Sequence, residues 1–587
     1  MSDFRLVKVT DSVIGDITSD IDFAVKSGAS QTTFQRFPAT SASNSSLIFS
    51  VTVPSENVVI GRDVLINTGI SFTMTAGNSL GAGNPGAVPV GAKVFDYGVT
   101  DALQAFPLAS LMSTASASIN NTTVSVNLQD VLPSLLHLND SRELYRYNST
   151  TPSLPDQAYA RYADGVGANN NGLAGYSNAS YDICQIPRGA HPASITIQRF
   201  NGGVFQDNSP TAIAADDTFV IEFSTVVAEP LFLSPFIFGD PEYNKQGFIG
   251  ISSMNFTINI DATCKRLFST ANPYIRTISL GTAANPNGFT ASGAIGTQNI
   301  PSSPSMLFKF LSTQPSDLIE TKNVVPYMDF PRYLTSSANT TSIAAQGAAT
   351  LTSSNLQINQ IPDLIIINVR KPMNSQTIQD ASAFMTINNI SINLNNQSGL
   401  LSSASSYDLW RMSVKNGSTQ NWASFSGLQQ VSSPANGVGA VVNTTGSLLI
   451  IDPAYDLSLP DYISDGNLGN FNLAFQVGVS NTLSPTGGAA ITPEICVITV
   501  NSGIFVTQQG VSSVYTGILT KEMTLNTKSR QQTSAMKSAE IKRMVGGSML
   551  NMPLHGIVRA ACKRFGGVSS GGVPSGGATS GGMKSLC

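Results

Sequence analysis

The sequence predicts an all-β protein built from two β-sandwiches in tandem. Three observations carry that prediction. Charged residues make up only 12% of the 587, about half the usual share of a soluble domain. Ser, Thr, Asn and Gln together number 193, so the chain is rich in strand and turn formers and poor in the residues that favour exposed helices. Short apolar runs of period two recur in two long series separated by loops. The length corresponds to two to four domains at roughly 150 residues each, enough to bury a large core. With 50 Gly and 30 Pro the composition is not that of low-complexity disorder. It argues against a helical or doubly wound metabolic enzyme and for an all-β shell, adhesin or coat protein.

Residues 1–36 are polar and slightly acidic and read as an arm. The first series begins with Leu47-Ile48-Phe49-Ser50-Val51-Thr52-Val53. Its odd positions are all apolar while Ser50 and Thr52 point the other way, the signature of a half-buried strand. Val64–Ile66, Ile70–Met74, Ser118–Asn120, Val124–Val126, Thr218–Phe223 and Met254–Ile260 repeat the device. A helix is expected between them, from Asp130 to Tyr147. A long Asn/Gly/Tyr loop, Asn148–Asn178, follows it. The second series starts at Met306–Leu311 and continues through Leu356–Ile361, Leu364–Val369, Ser391–Leu394, Leu448–Ile451, Phe471–Val479, Ile495–Val500 and Ile504–Val506. Leu364-Ile365-Ile366-Ile367 lacks alternation, which predicts a strand covered on both faces. Loops are expected at Thr335–Ser353 and Lys415–Thr445. No short-period repeat is visible, which argues against solenoids and propellers.

Charge is unevenly placed. The chain carries a net −4, yet from Lys528 onward nine basic residues face one acid, Glu540, a net of +8. The body is therefore mildly acidic and the end is a basic tail. Within it Thr533–Val545 has helical spacing, Met549–Phe565 is apolar with a Lys/Arg end, and Gly566–Gly582 is flexible linker. No run reaches the roughly 18 to 20 apolar residues of a membrane span. The start has no apolar signal-peptide core, which argues against co-translational secretion. Cys184, Cys264, Cys496, Cys562 and Cys587 are widely spaced and odd in number, which suggests a reducing compartment rather than a disulfide framework.

Catalytic motifs are weak. Gly81-Ala82-Gly83-Asn84-Pro85-Gly86 spells GxGxxG, but Ala87-Val88-Pro89 behind it cannot open the helix that a pyrophosphate needs, so a surface loop is favoured. His137, His191 and His555 are the only histidines, and no G-x-S-x-G elbow accompanies them. No His, Cys or carboxylate cluster has zinc or EF-hand spacing, so no cofactor or metal is expected. Asp216-Asp217 is read as a loop pair. Asp140, Arg142, Glu143 and Arg146 form an expected helix-end ion network. Trp410 and Trp422 flank a polar loop; a core anchor is favoured over contact with a glycan or a neighbouring subunit.

Several stretches resemble a known family. Phe34–Ile66 (FQRFPATSASNSSLIFSVTVPSENVVIGRDVLI), Ile119–Pro152, Phe310–Thr335, Asn359–Pro372 and Ile392–Ser418 resemble, in order, the double jelly-roll major capsid proteins of Polinton-like viruses and adintoviruses. The resemblance covers about residues 34 to 520. It implies two tandem eight-stranded jelly rolls (a double jelly roll) with an N-terminal arm and a basic, Gly-rich C-terminal tail. The expected division is arm 1–40, first jelly roll 41–268, connector 269–304, second jelly roll 305–527 and tail 528–587. It also implies a non-enzymatic subunit, a homotrimer forming pseudo-hexagonal capsomers in the icosahedral shell of a double-stranded DNA virus. Neighbouring capsomers, a single-jelly-roll penton protein and minor capsid proteins would be its partners. The chain would be made inside the host cell and reside in the virion, with the long loops as outward towers.

Two expectations concern the tail. Met544-Val545-Gly546-Gly547-Ser548 resembles the cleavage pattern of adenovirus-type cysteine proteases, with the cut after Gly547. Lys542, Arg543, Arg559, Lys563 and Arg564 could contact phosphates of genomic DNA or an anionic membrane. The alternative function is a glycan-binding adhesin or fibre protein built from β-sandwiches, which would show sugar affinity as a monomer. A secreted β-sandwich hydrolase would instead need a His or carboxylate pair in a cleft.

Overall fold

The computed structural model describes residues 5–517 apart from internal stretches, chiefly 10–20, 26–30, 78–94, 156–190, 206–216, 238–246, 313–321, 433–438 and 460–465; residues 518–587 lie outside the described residues. Strands are numbered along the chain. β1 (Arg5–Val9) and β2 (Ile21–Val25) form a hairpin by themselves. In the first sandwich a five-stranded sheet is ordered β10 (Thr122–Val126), β9 (Met112–Ile119), β14 (Ser253–Ile260), β5 (Ser46–Thr52) and β4 (Ser41–Ala42). It faces an eight-stranded sheet ordered β12 (Val204–Phe205), β11 (Ser194–Asn201), β13 (Asp217–Pro230), β7 (Leu65–Gly77), β19 (Ser305–Ser312) and β3 (Gln31–Pro38). In that sheet β16 (Ile275–Leu280) also pairs with β7, and β6 (Val58–Ile60) with β19.

The second sandwich repeats the plan. One sheet is ordered β20 (Lys322–Asp329), β31 (Glu494–Gln508), β24 (Leu364–Arg370) and β29 (Leu449–Ile451), with β21 (Arg332–Thr335) and β32 (Val511–Thr516) also on β31. The other is ordered β22 (Ala348–Thr352), β30 (Leu468–Ser480), β25 (Thr386–Leu394) and β26 (Gln397–Leu400), with β23 (Leu356–Gln360) on β30. β8 (Asp101–Leu103) and β15 (Phe268–Thr270) form a two-stranded ladder between distant parts of the chain, while hairpins join β17 (Ala294–Ile295) to β18 (Gln298–Asn299) and β27 (Leu428–Ser432) to β28 (Gly439–Asn443). The long ladders are antiparallel, so each sandwich can bury one face of each sheet and solvate the other. This is the all-β pair of tandem sandwiches that the periodicity predicts and the double jelly roll that the resemblance implies.

Local sequence explains the pairing. In β5, Leu47, Phe49 and Val51 are buried while Ile48 between them is 38% exposed. In β14 burial alternates residue by residue and brings Met254, Phe256, Ile258 and Ile260 inside. β24 does not alternate: every residue from Leu364 to Arg370 is buried, as its unbroken apolar run predicts.

Four expectations are corrected. The strand at Met306–Leu311 does not open the second series. As β19 it pairs with β3, β6 and β7 and closes the first sandwich, because Phe308 packs on Phe256 at 5.9 Å and on Phe37 at 5.7 Å. For the same reason residues 1–36 are not simply an arm, since β3 begins at Gln31 and anchors through buried Phe37. The helix expected over Asp130–Tyr147 is α2 (Leu128–Leu136). It tightens at its end through His137 N to Ser134 O and Leu138 N to Leu135 O, and the Asn139 side chain donates to Leu135 O at 2.9 Å, a C-terminal cap. The two polar loops of the second series carry structure of their own. Thr335–Ser353 includes β22, and Lys415–Thr445 includes the Trp422–Phe425 helical turn and the β27–β28 hairpin.

Candidate functional site

The most elaborate arrangement of buried polar groups lies where the two sandwiches meet, and the pleat of β24 builds it. Successive side chains of a strand leave on opposite faces. Ile365, Ile367 and Val369 therefore fill the second sandwich's own core, while Leu364 and Ile366 belong to the core of the first. β31 divides in the same way. Ile495 and Val497 face inward, and Cys496, Ile498 and Val500 face the first sandwich. The layer opposite is supplied by α2 and by α1 (Pro107–Leu111), whose residues share that core.

At the end of this face sits Arg370, 1% exposed. Its Nε donates to Glu494 Oε1 at 2.8 Å, and its Nη2 donates to Asp130 Oδ1 on the first turn of α2. Arg332 reaches the other oxygen of Asp130 at 2.6 Å. Two carboxylates are thus shared by two guanidinium groups across the joint. Arg266 lies alongside, with Nη1 on Gln129 O and Nε on Gln376 Oε1 at 3.3 Å. Burial, helped by the charge of Arg370, lowers its pKa to about 10. Burial pushes the Cys496 thiol up to about 11, so it is an inert neutral group.

Further hydrogen bonds extend the joint in both directions. The His137 carbonyl accepts from Thr419 N at 2.8 Å and Thr419 Oγ1 at 2.7 Å. Lys265 Nζ caps the carbonyls of Met373 and Asn374 at 3.0 and 2.9 Å. At the other side, Ser512 Oγ donates to Ile119 O at 2.6 Å, its N–H donates to Asn121 Oδ1 at 2.9 Å, and Thr122 Oγ1 donates to Ser512 O at 2.6 Å. These bonds tie β32 to the β9–β10 turn. Phe248 and Phe505 meet across the joint with centroids 6.1 Å apart.

Another buried carboxylate, Glu229, lies in the first sandwich. Glu229 accepts from Leu108 N at 3.0 Å and Ala109 N at 2.9 Å at the start of α1. Burial raises its pKa to about 7 against these stabilising bonds and one from Thr151. His137 is likewise buried, which lowers it to about 4.

The residues singled out in the sequence are distributed as follows. Met544, Gly546, Gly547, Ser548, Lys542, Arg543, Arg559, Lys563, Arg564 and His555 lie outside the described residues, as do the 81–86 glycine loop, Asp216 and Asp140–Glu143. His137 is structural, at the C-terminus of α2. The His191 carbonyl accepts from Tyr97 Oη at 3.1 Å. Asp217 begins β13 rather than lying in a loop. The tryptophans divide: Trp410 is half-buried against the second core, its Nε1 donating to Gln420 O at 3.0 Å, whereas Trp422 is not a core anchor. Trp422 is 38% exposed and Tyr407 50% exposed, and the pair meets with centroids 5.2 Å apart, beside Trp410 at 5.2 Å from Tyr407. The Ser406–Lys415 helix turns Leu409 and Ser413 inward, which leaves Tyr407 and Val414 on its outer side. Among the described residues no three His, Cys, Asp or Glu group as a metal site, and no helix is long and apolar enough to cross a membrane.

Asp130, Glu229, Arg266, Arg332, Arg370 and Glu494 were not legible as a set. Asp130 and Arg370 stand 240 positions apart. The available signal was an arginine ending a strand that is apolar apart from Asn368, since a buried charge must be paired.

Comparison with known proteins gives the arrangement a setting. Residues 2–311 match the family model described as the Sputnik virophage major capsid protein 1st domain, and residues 330–503 match the major capsid protein V20 C-terminal domain. The putative capsid protein V20 of Sputnik virophage is 26% identical over 545 residues, covering 91% of this chain and 83% of that protein. A chain in the 3.5 Å cryo-EM structure of the Sputnik virophage superposes with a TM-score of 0.71 at 24% identity, covering 92% of this chain and 98% of that one. The crystal structure of the mavirus major capsid protein gives 0.57 at 13% identity, with 88% and 95% covered.

Proposed function

We propose an assembly mechanism from one premise: this chain belongs to the virophage major capsid protein family. It is a major capsid protein, a structural subunit of the icosahedral shell of a double-stranded DNA virus, and its place is the virion. Its assembly unit is a homotrimer in which three chains present six sandwiches as a pseudo-hexagonal capsomer. The observation that carries this is the joint. Asp130, Arg370 and Glu494 are buried between the sandwiches, with half-buried Arg332 paired to Asp130, and the core of the first continues into the second. One chain therefore supplies two lobes in fixed relation, and a threefold axis makes six. A surface low in charge suits repeated contact between copies, because each unpaired charge buried there would be costly. Sedimentation of the purified chain tests this. A species of three times the chain mass is expected; a chain that stays monomeric under assembly conditions contradicts it.

The partners follow from the same reading. Neighbouring capsomers, a single-jelly-roll penton protein and minor capsid proteins surround the trimer. A viral adenovirus-type cysteine protease cuts at Met544-Val545-Gly546-Gly547-Ser548, after Gly547, and frees a basic peptide. Lys542 and Arg543 before the cut, and Arg559, Lys563 and Arg564 after it, contact genomic DNA or membrane through phosphate charge. Mass spectrometry of virion protein decides the cleavage, since a chain intact to Cys587 overturns it. Kinship with the Polinton-like viruses and adintoviruses is part of this proposal, supported by the five similar stretches. A capsid tree that separates the chain from them contradicts it.

A further inference from the structure

Edge strands expose a row of unpaired backbone groups, and proteins that must stay apart blunt them with lysines, bulges, prolines or covering segments. β3 has little of this protection. It is the last strand of its sheet. It pairs with β19 through eight residue pairs without a register shift, so no bulge twists it away. From Gln31 to Arg36 every residue is exposed, so both faces of the strand and its outer edge lie open among the described residues. The segment Gln-Thr-Thr-Phe-Gln-Arg contains no lysine, and Pro38 stands only at its end. Phe34, in the middle, is 66% exposed. Thr and Phe are strong strand formers, so this edge favours a further strand.

A complementary element lies just ahead of it in the chain. Among the described residues the β1–β2 hairpin is paired only with itself. A lone two-stranded hairpin is marginal in water and gains stability when it joins a larger sheet. In its own chain it does not pair with β3.

We infer that the open edge of β3 is a strand-addition site, and that its occupant is the β1–β2 hairpin of a second copy of this chain. The exchange satisfies both open edges with backbone hydrogen bonds, and side chains such as Phe34 set the register. This inference rests on the assembly reading above, because a shell subunit meets copies of itself more than any other partner. It deepens that reading by naming a strand that receives and a hairpin that is given.

The full-length chain tests it. Hydrogen exchange is followed across residues 31–37 in the monomer and in the assembled state, and slowing of at least tenfold on assembly is expected. A benzophenone side chain at position 34, placed in a mixture of heavy-isotope and ordinary chains, should cross-link to residues 5–25 of the other chain. Phe34→Lys should raise the concentration needed for assembly at least tenfold while leaving the melting temperature unchanged, since residue 34 is on the surface. Trimers that form with β3 amides still exchanging fast overturn the inference and leave the assembly reading standing. So do cross-links within one chain or to another segment. A chain that never assembles overturns both.

Discussion

The first sandwich is filled with rings and the second with branched aliphatic chains. In the first, Phe72 stacks on Phe223 at 4.8 Å, Phe236 meets Phe256 at 5.5 Å, and Phe308 and Phe310 lie 6.2 Å apart. In the second, the core that the sandwich keeps to itself has Phe425 and Phe475 among residues such as Ile365, Ile367, Ile392 and Val477. The difference follows from what each layer must cover. Large rings fill the space between wide sheets and also reach the helices inserted beside them. A strand such as β24, buried on both faces, is packed best by β-branched residues. The two cores also end differently. The second sandwich closes a core of its own and lends its outer face to the first, whereas the core of the first is completed only by residues of the second, including Leu364, Ile366 and Ile498. The joint is therefore part of the first sandwich's interior, and damage there should be felt by the whole chain.

Arg370→Ala should give the largest effect. It leaves Asp130 with Arg332 as its remaining ion-pair partner and strips buried Glu494 of the guanidinium it accepts from, a loss of about 3–5 kcal/mol. Chemical denaturation followed by tryptophan and by far-UV signals should show both sandwiches weakened in one transition. Loss confined to the second sandwich would separate the halves and break the comparison.

The next effect is in pH. The folded chain holds a proton on Glu229 up to about pH 7, while an unfolded carboxyl releases it near 4.5. Stability from this group therefore falls as pH rises between those values. His137 acts in the other direction. Folded, it stays neutral down to about pH 4, while unfolded it charges below 6.5, so stability falls as pH falls through that window. The two slopes oppose each other between about 4.5 and 6.5. Glu229→Gln should remove one of them, so that the variant loses more stability than the parent between pH 6.5 and 5, by a few kcal/mol at most. Urea midpoints at the two pH values measure it, and parallel profiles would show that Glu229 does not titrate in that range.

The smallest effect sharpens the contrast from the other side. Ile392→Val removes one methylene from the closed core of the second sandwich, at a cost of about 0.5–1.5 kcal/mol. The urea midpoint should move slightly, and exchange at the joint around Ile119 and Ser512 should be unaltered. Protection lost at the joint would mean that the second core is not self-contained.

Period and run length made much of this legible. The odd positions of Leu47–Val51 are buried as the alternation requires, and Leu364–Ile367 is covered on both faces as its lack of alternation requires. Assignment to a sandwich was not legible for Met306–Leu311, because an apolar strand does not say which sheet it joins. Phe37 and Phe256, far away in the chain, decide that. The α2 helix was recognised but overrun, since its stop is made by the Asn139 side chain rather than by Gly or Pro. The joint was the least legible part. It depends on contacts between Asp130, Arg332, Arg370 and Glu494 that exist only once both sandwiches are formed.

Electron microscopy of the purified full-length chain under assembly conditions tests the central claim most directly. If one chain carries two locked sandwiches and three chains form the unit, class averages will show threefold particles with six lobes. Particles of two lobes that never associate, or trimers whose lobes in each chain take variable relative positions, would contradict it.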